Sequence, residues 1–196
     1  MSKKYFNRKA KNYKEDIKKF PLGKFRSDEY KKVTKLLGKS NFTNSLELGC
    51  GSGFYSKFIR KISKNKVYVI DDSKKMLDNL NLKKVIKINK NVLKININKK
   101  FDLVAILGLL EFIRDYKKIF KNLKNNFKDN TILIILLPKN NLLNLIYFLY
   151  YVLKGIRIYL HDNRKLIKYL ESYNFKLLSK KISYVSNIYV FKKVRS

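Results

Sequence analysis

Three of the chain's seven glycines fall within the five residues Gly49-Cys-Gly-Ser-Gly53. Ser45-Leu-Glu-Leu48 ahead of them reads as a short strand, and Phe54 to Ile62 behind them as a helix. Glycines there let the backbone turn sharply and approach a ligand without Cβ clashes. The helix beyond presents unpaired N–H groups. In an open α/β sheet such a turn lies at the carboxyl ends of the strands, where ligands bind. The plainer alternative is a glycine turn with no ligand.

Two common phosphate-binding loops are excluded. A dinucleotide fingerprint needs a third glycine where Phe54 stands, and no G-x-x-x-x-G-K-[ST] run exists. One cysteine excludes a disulfide framework and a four-Cys zinc site, and one histidine argues against a multi-His metal site. No metal is expected.

Strand and helix signals alternate through most of the chain. Residues 1–40 read as helices, broken at Pro21-Leu-Gly23 and restarted by a capping signal at Ser27-Asp28-Glu29. Lys66 to Ile70, Lys84 to Asn89 and Phe101 to Leu107 read as strands. Ser73 caps a helix over Lys74 to Leu80, and another is expected near Glu111 to Phe127. Thr131 to Leu137 is a continuous apolar run, as a strand buried on both faces should be. Leu142 to Leu153 is an apolar helix closed by Gly155, and Asp162 to Tyr173 is amphipathic. Phe175 to Tyr184 and Ser186 to Val194 pair as a late hairpin. The pattern predicts an α/β, Rossmann-like, doubly wound fold. Its seven-stranded sheet is mostly parallel, with a C-terminal antiparallel hairpin and helices on both faces. At 196 residues it forms one compact unit. Residues 1–40 make a helical cap, 41–196 the main domain, and 139–160 a lid or substrate insertion.

The net charge of +32 points first to nucleic acid or an anionic membrane. Yet 39 of the 46 basic residues are lysine and only seven are arginine, the better phosphate ligand. Lys, Asn and Ile share A/T-rich codons, so a biased genome enriches all three. That reading expects lysines scattered over every solvated face, and nucleic acid is not the favoured partner. The apolar run 142–153 is too short to span a bilayer, which needs roughly 20 residues. It leaves peripheral membrane contact open. With no signal-peptide pattern, a cytoplasmic location is expected.

Asp71 ends the second strand, 18 residues after Gly53. An acid there can accept hydrogen bonds from both ribose hydroxyls of a nucleoside. Asp72 is also a candidate, although its side chain should point the other way.

Leu46-Glu-Leu-Gly-Cys-Gly-Ser-Gly53 resembles the first motif of class I S-adenosylmethionine-dependent methyltransferases of the small-molecule type. Val69 to Leu77 is similar to their acidic-loop motif, Phe101 to Val104 to their fourth strand, and Leu109 to Asp115 to the segment after it. Phe6, Ala10 and Tyr13 resemble their N-terminal helix. The resemblance implies S-adenosylmethionine as cofactor. Glu47, Gly49, Cys50, Gly51 and Gly53 would hold its methionine part, Asp71 its ribose, and Met76, Asn91 and Val92 its adenine. Leu107 and Gly108 would line the transfer pocket, with Tyr13 and Tyr147 as further acceptor contacts. Asn91 replaces a customary acid, though its carbonyl could still accept a hydrogen bond. Phe112 stands where many relatives carry histidine. Asn125 and Asn126 replace a customary Pro-Gly turn, and Asn tolerates the left-handed conformation. His161 is a candidate general base, with a capping or solvated role as the alternative, and Glu111 is a candidate catalytic residue that could contact the acceptor, with a structural role as the alternative. The implied reaction is in-line methyl transfer to an O, N or C atom of a small, hydrophobic or lipid-like acceptor. The alternatives are an RNA-directed enzyme or basic nucleic-acid-binding protein, and a non-catalytic partner of the same fold.

Overall fold

Seven strands form one sheet in the order β3-β2-β1-β4-β5-β7-β6 in the computed structural model, which describes residues 2–20 and 22–195. The side chains of Ser2, Lys14 and Ile146 are also outside the description, as is the break expected at Pro21. The strands are β1 (Ser45–Leu48), β2 (Val67–Asp71), β3 (Val85–Asn89), β4 (Phe101–Leu107), β5 (Phe127–Pro138), β6 (Phe175–Ile182) and β7 (Ser186–Lys193). Strands β1 to β5 pair in parallel; β7 runs antiparallel between β5 and β6.

Period-two alternation gives this sheet two apolar faces. Leu46, Leu48, Val104, Ile106, Leu133 and Ile135 face one core, closed by α6 (Tyr116–Leu123) and α8 (Asn163–Glu171). Val67, Val69, Leu103, Ala105, Ile134 and Leu136 face the other, closed by α3 (Leu22–Leu37) and α4 (Ser56–Lys61). The helices α1 (Ser2–Lys9) and α2 (Tyr13–Asp16) cross the carboxyl ends of the strands. Asn7 Oδ1 there accepts from Ser73 Oγ at 2.6 Å, and the Ala10 carbonyl from Asn79 Nδ2 at 2.7 Å.

Several local expectations need correction. The capping signal at Ser27 is not used, because α3 is already under way. Its two acids form ion pairs along the helix, Asp28 with Lys32 and Glu29 with Arg26. The helix expected over Glu111 to Phe127 is a short 3-10 turn at Leu110–Phe112, then α6. Asp115 caps α6 from its own side chain. Asn126 is not left-handed; it closes a 3-10 turn and donates to the Lys99 carbonyl at 2.7 Å. The left-handed asparagines are Asn130 and Asn174. Helix α4 begins two residues later than expected, and α5 (Lys74–Asp78) ends two residues earlier.

The apolar run forms α7 (Leu142–Leu153), within the expected bounds. Asn141 caps it, and buried Asn144 ties it to the Lys139 carbonyl at 2.6 Å and to the Val185 carbonyl. Tyr151 of α7 packs with Tyr5 of α1, so α7 and the N-terminal helices meet. Leu142, Leu145, Leu149, Val152 and Leu153 remain exposed on its outer side. Among the described residues, no helix is long and apolar enough to cross a membrane. No described lysine is buried, and lysines lie on α3, α4, α5, α6, α8, β3 and β6, so they form no single stripe.

Candidate active site

The loop after β1 turns through three left-handed glycines, Gly49, Gly51 and Gly53, with φ of 67°, 54° and 89°. Gly49 and Gly51 open onto a cavity of about 320 Å3 at the carboxyl ends of β1, β2 and β4. Gly53 does not line it. A Cβ there would stand 2.0 Å from Leu80 Cδ1, so this glycine serves close packing of the loop on Leu80, two residues past the end of α5. Gly53→Ala is expected to lose about 1–3 kcal/mol of stability, from left-handed strain plus repacking of Leu80, with little change in ligand affinity. Thermal unfolding and a ligand titration check both halves.

Asp71 and Asp72 both line the cavity, which corrects the expectation that Asp72 turns away. The Asp71 carboxylate accepts from Gly51 N and from Ser73 N, each at 2.9 Å. It thereby ties the glycine loop to the acidic loop. Burial nevertheless holds its pKa above the usual carboxylate range, because those two hydrogen bonds only partly compensate. Met76, on the α5 that Ser73 caps, lies against the cavity with Val92 and Asn91. The Asn91 carbonyl already accepts from Leu93 N at 2.8 Å. Gly108 forms the floor, and Tyr13 of α2 the roof. A Cβ on Gly51 would stand 3.6 Å from Tyr13 Cε1, so glycine keeps this passage open.

Glu47, Cys50 and Leu107 stand behind the glycine loop, around a recess of about 40 Å3 that also touches Gly49 and Gly108. Ser56 Oγ donates to Glu47 Oε2. Burial pushes the Glu47 carboxyl up to about 8, against that hydrogen bond. Burial, reinforced by Glu47 and Asp71, also raises the Cys50 thiol, which argues against a thiolate nucleophile.

A second cavity of about 520 Å3 lies between α3 and α7. Its walls are largely apolar and aromatic, with Phe25, Leu136, Leu143 and Tyr147 among them. Glu111 faces it, not the first cavity. Glu111 is 2% exposed and its Oε2 has no hydrogen-bond partner; the buried Tyr147 hydroxyl has none either. His161 enters neither cavity. Its Nε2 lies 2.9 Å from the Leu110 carbonyl, and its ring packs edge-on against Tyr116.

Arg26 was not apparent from sequence. It lines both cavities and the recess, bonded through Nη1 to Glu29 Oε2 at 3.0 Å. Glu29 in turn accepts from Ser186 Oγ. Although burial opposes its charge, Glu29 keeps the Arg26 guanidinium ionised. The available signal was rarity: an arginine among so many lysines, three residues ahead of an acid on one helix.

The sequence model of a family described as a methyltransferase domain matches residues 14–180. The chain belongs to this methyltransferase family. No curated protein matches the sequence. Among solved structures, this methyltransferase is similar to magnesium protoporphyrin IX methyltransferase from Synechocystis PCC 6803 with bound SAH. The identity is 18%, the coverage 98% of both chains and the TM-score 0.77. It is equally similar in fold to N-methyltransferase NodS from Bradyrhizobium japonicum WM9 in complex with S-adenosyl-L-homocysteine, at 13% identity, 98% of both chains and TM-score 0.77. A putative S-adenosylmethionine-dependent methyltransferase from Listeria monocytogenes matches at 18% identity over 86% of this chain and 99% of its own, TM-score 0.70. The fold of this methyltransferase is therefore that of the class I, S-adenosylmethionine-dependent enzymes.

Proposed function

We propose that this methyltransferase binds S-adenosylmethionine in the first cavity and methylates a small, apolar acceptor held in the second. The observation that carries this reading is that the two cavities share Arg26 and Tyr151 as walls. Donor and acceptor can therefore lie in contact while each has its own pocket.

The donor set fits the cofactor. The Asp71 carboxylate can accept from ribose hydroxyls while it holds the glycine loop. Met76 and Val92 offer adenine an apolar slot, and Asn91 and Asp72 stand at its rim. Gly49 and Gly51 let the backbone approach the methionine part, with Cys50, Gly53, Glu47 and Leu107 shaping the loop from behind. Arg26, still carrying free N–H groups, is suited to the methionine carboxylate. When bound, the cofactor supplies a methyl group already activated on a sulfonium. The chain's residues then have mainly to position and desolvate the acceptor beside Gly108. Tyr13 roofs the donor cavity, and residues 1–40 act as its cap. Residues 139–160, with Tyr147 facing the second cavity, act as the acceptor's lid. The exposed apolar row on α7 favours an acceptor drawn from an apolar phase. The scatter of lysines disfavours RNA as acceptor.

Calorimetric titration of the protein with S-adenosylmethionine and S-adenosylhomocysteine tests this. Saturable binding at one site is expected. Absence of heat and of any thermal stabilisation by either compound would remove the enzyme reading in favour of a non-catalytic partner protein.

A further inference from the structure

We propose that the acceptor is a neutral, largely apolar phenol and that Glu111 takes its proton. This rests on the reading that the second cavity holds the acceptor; it adds the class of molecule and the residue that acts on it. A buried carboxyl oxygen and a buried tyrosine hydroxyl without partners are costly to leave unmet, and both belong to this one cavity. Together they offer an incoming hydroxyl one acceptor and one donor. The remaining wall, including Phe25, Leu136, Leu143 and Tyr150, suits an aromatic or alkyl body. A cavity of about 520 Å3 is of the size that takes small organic ligands.

The carboxyl also stands at the right place. Glu111 Oε1 lies 3.8 Å from the point where a Cβ on Gly108 would sit, and Gly108 lines the donor cavity. A hydroxyl bonded to Glu111 is thus held beside the junction of the two pockets.

The charges facing Glu111 select against an anionic acceptor. They are Arg26 and Glu29 on α3, with the hydroxyls of Tyr13, Tyr147 and Tyr151 from α2 and α7. Arg26 is already bonded to Glu29. A carboxylate acceptor would therefore meet two buried acids and, among the described charges facing Glu111, one cation, which Glu29 and the methionine carboxylate of the bound cofactor would already share. Burial, with Glu29 adding to it, pushes the Glu111 carboxyl up to about 7, a backbone hydrogen bond and Arg26 opposing. A base of that strength suits a phenol, at roughly 10, far better than an aliphatic alcohol, which is a much weaker acid.

The step balances. The acceptor O–H bond breaks and its proton passes to the ionised Glu111 carboxylate. The oxygen lone pair forms the new bond to the methyl carbon. The carbon–sulfur bond breaks, its electron pair stays on sulfur, and the sulfonium charge is lost. Glu111 then returns the proton to solvent.

The test uses 4-pentylphenol, 4-pentylbenzoate and 4-pentylanisole as probes in calorimetric titrations of the whole protein, with and without S-adenosylhomocysteine. The phenol should bind at least tenfold more tightly than the benzoate or the anisole. Glu111→Gln should retain the unfolding temperature and S-adenosylhomocysteine affinity, and should lower kcat for methylation of the phenol about 100-fold or more. The wild-type rate should rise with pH to a plateau above about 7, a rise absent in Glu111→Gln. Equal binding of benzoate and phenol, or wild-type turnover by Glu111→Gln, would overturn the proposal. So would a failure of phenol to bind a protein that binds S-adenosylhomocysteine. Failure to bind S-adenosylhomocysteine would overturn the cofactor reading with it.

Discussion

Arg26→Ala is expected to lower the stability of the fold by about 3–5 kcal/mol, because it strands a buried acid. Glu29 is 1% exposed, with one oxygen on Arg26 and the other on Ser186. Without the guanidinium, the carboxylate keeps only one neutral hydrogen bond. An exposed ion pair such as Lys18–Glu15 would lose little, about 0–1 kcal/mol. The double variant Arg26→Ala/Glu29→Gln should recover part of the loss, since it removes the uncompensated charge with its partner. Arg26→Lys should fall between, a point charge replacing a planar fork. Denaturant unfolding of the four proteins measures this directly. Stability of Arg26→Ala within about 1 kcal/mol of wild type, the ordinary effect of a point substitution, would show that the buried Glu29 does not depend on Arg26 for compensation. The same variant should lose tight binding of S-adenosylmethionine, and Glu29→Gln should lose much less of it.

The strands, the glycine loop and the acidic loop were legible because their signals are local. A continuous apolar run, a glycine cluster and an acid at a strand end lie within a few residues of one another in sequence. Helix α7 was legible to the residue, since the apolar run and Gly155 mark its extent; its Asn141 cap emerged only from the structure. The second cavity was legible only in part. Glu29 meets Ser186 across 157 residues, and Tyr5 meets Tyr150 across 145. No sequence window contains such a pair. Ser27 misled because an N-cap signal is also what a helix interior shows when its acids pair with Arg26 and Lys32. The asparagine turns misled in the same way. Asn126 has the residue type for a left-handed turn, but its side chain bonds two neighbouring carbonyls instead. The lysine excess, the loudest feature of the composition, says nothing about the site, because none of the described cavity walls depends on a buried lysine.

Asp71→Ala is expected to weaken S-adenosylhomocysteine binding about 100-fold, while changing the stability of the free protein little. Two effects combine in the binding loss. The direct one is loss of the carboxylate that would accept from ribose hydroxyls, where each hydrogen bond to a charged group contributes about 1.5–3 kcal/mol. The indirect one is the loop, because Gly51 N and Ser73 N both lose the group that aligns them. A hundredfold change corresponds to about 2.8 kcal/mol, which one such bond nearly supplies. Stability follows the opposite logic. Folding raises the pKa of Asp71 above the ordinary carboxylate value, so the folded state holds its proton more tightly than the unfolded chain does. Deprotonation then costs stability, and that cost appears as pH rises above the ordinary carboxylate range. The ionised form of Asp71 is thus a burden on the free protein, one that hydrogen bonds from a bound ribose would relieve. Alanine removes the burden along with the two backbone hydrogen bonds, and the terms oppose one another. Asp71→Asn, which keeps an acceptor oxygen without the charge, should bind about tenfold more weakly than wild type. Calorimetry on the three proteins, with thermal unfolding from pH 5 to pH 8, separates the terms. Wild-type affinity in Asp71→Ala would overturn the ribose assignment. A large stability loss with unchanged affinity would make Asp71 a loop-holding residue alone.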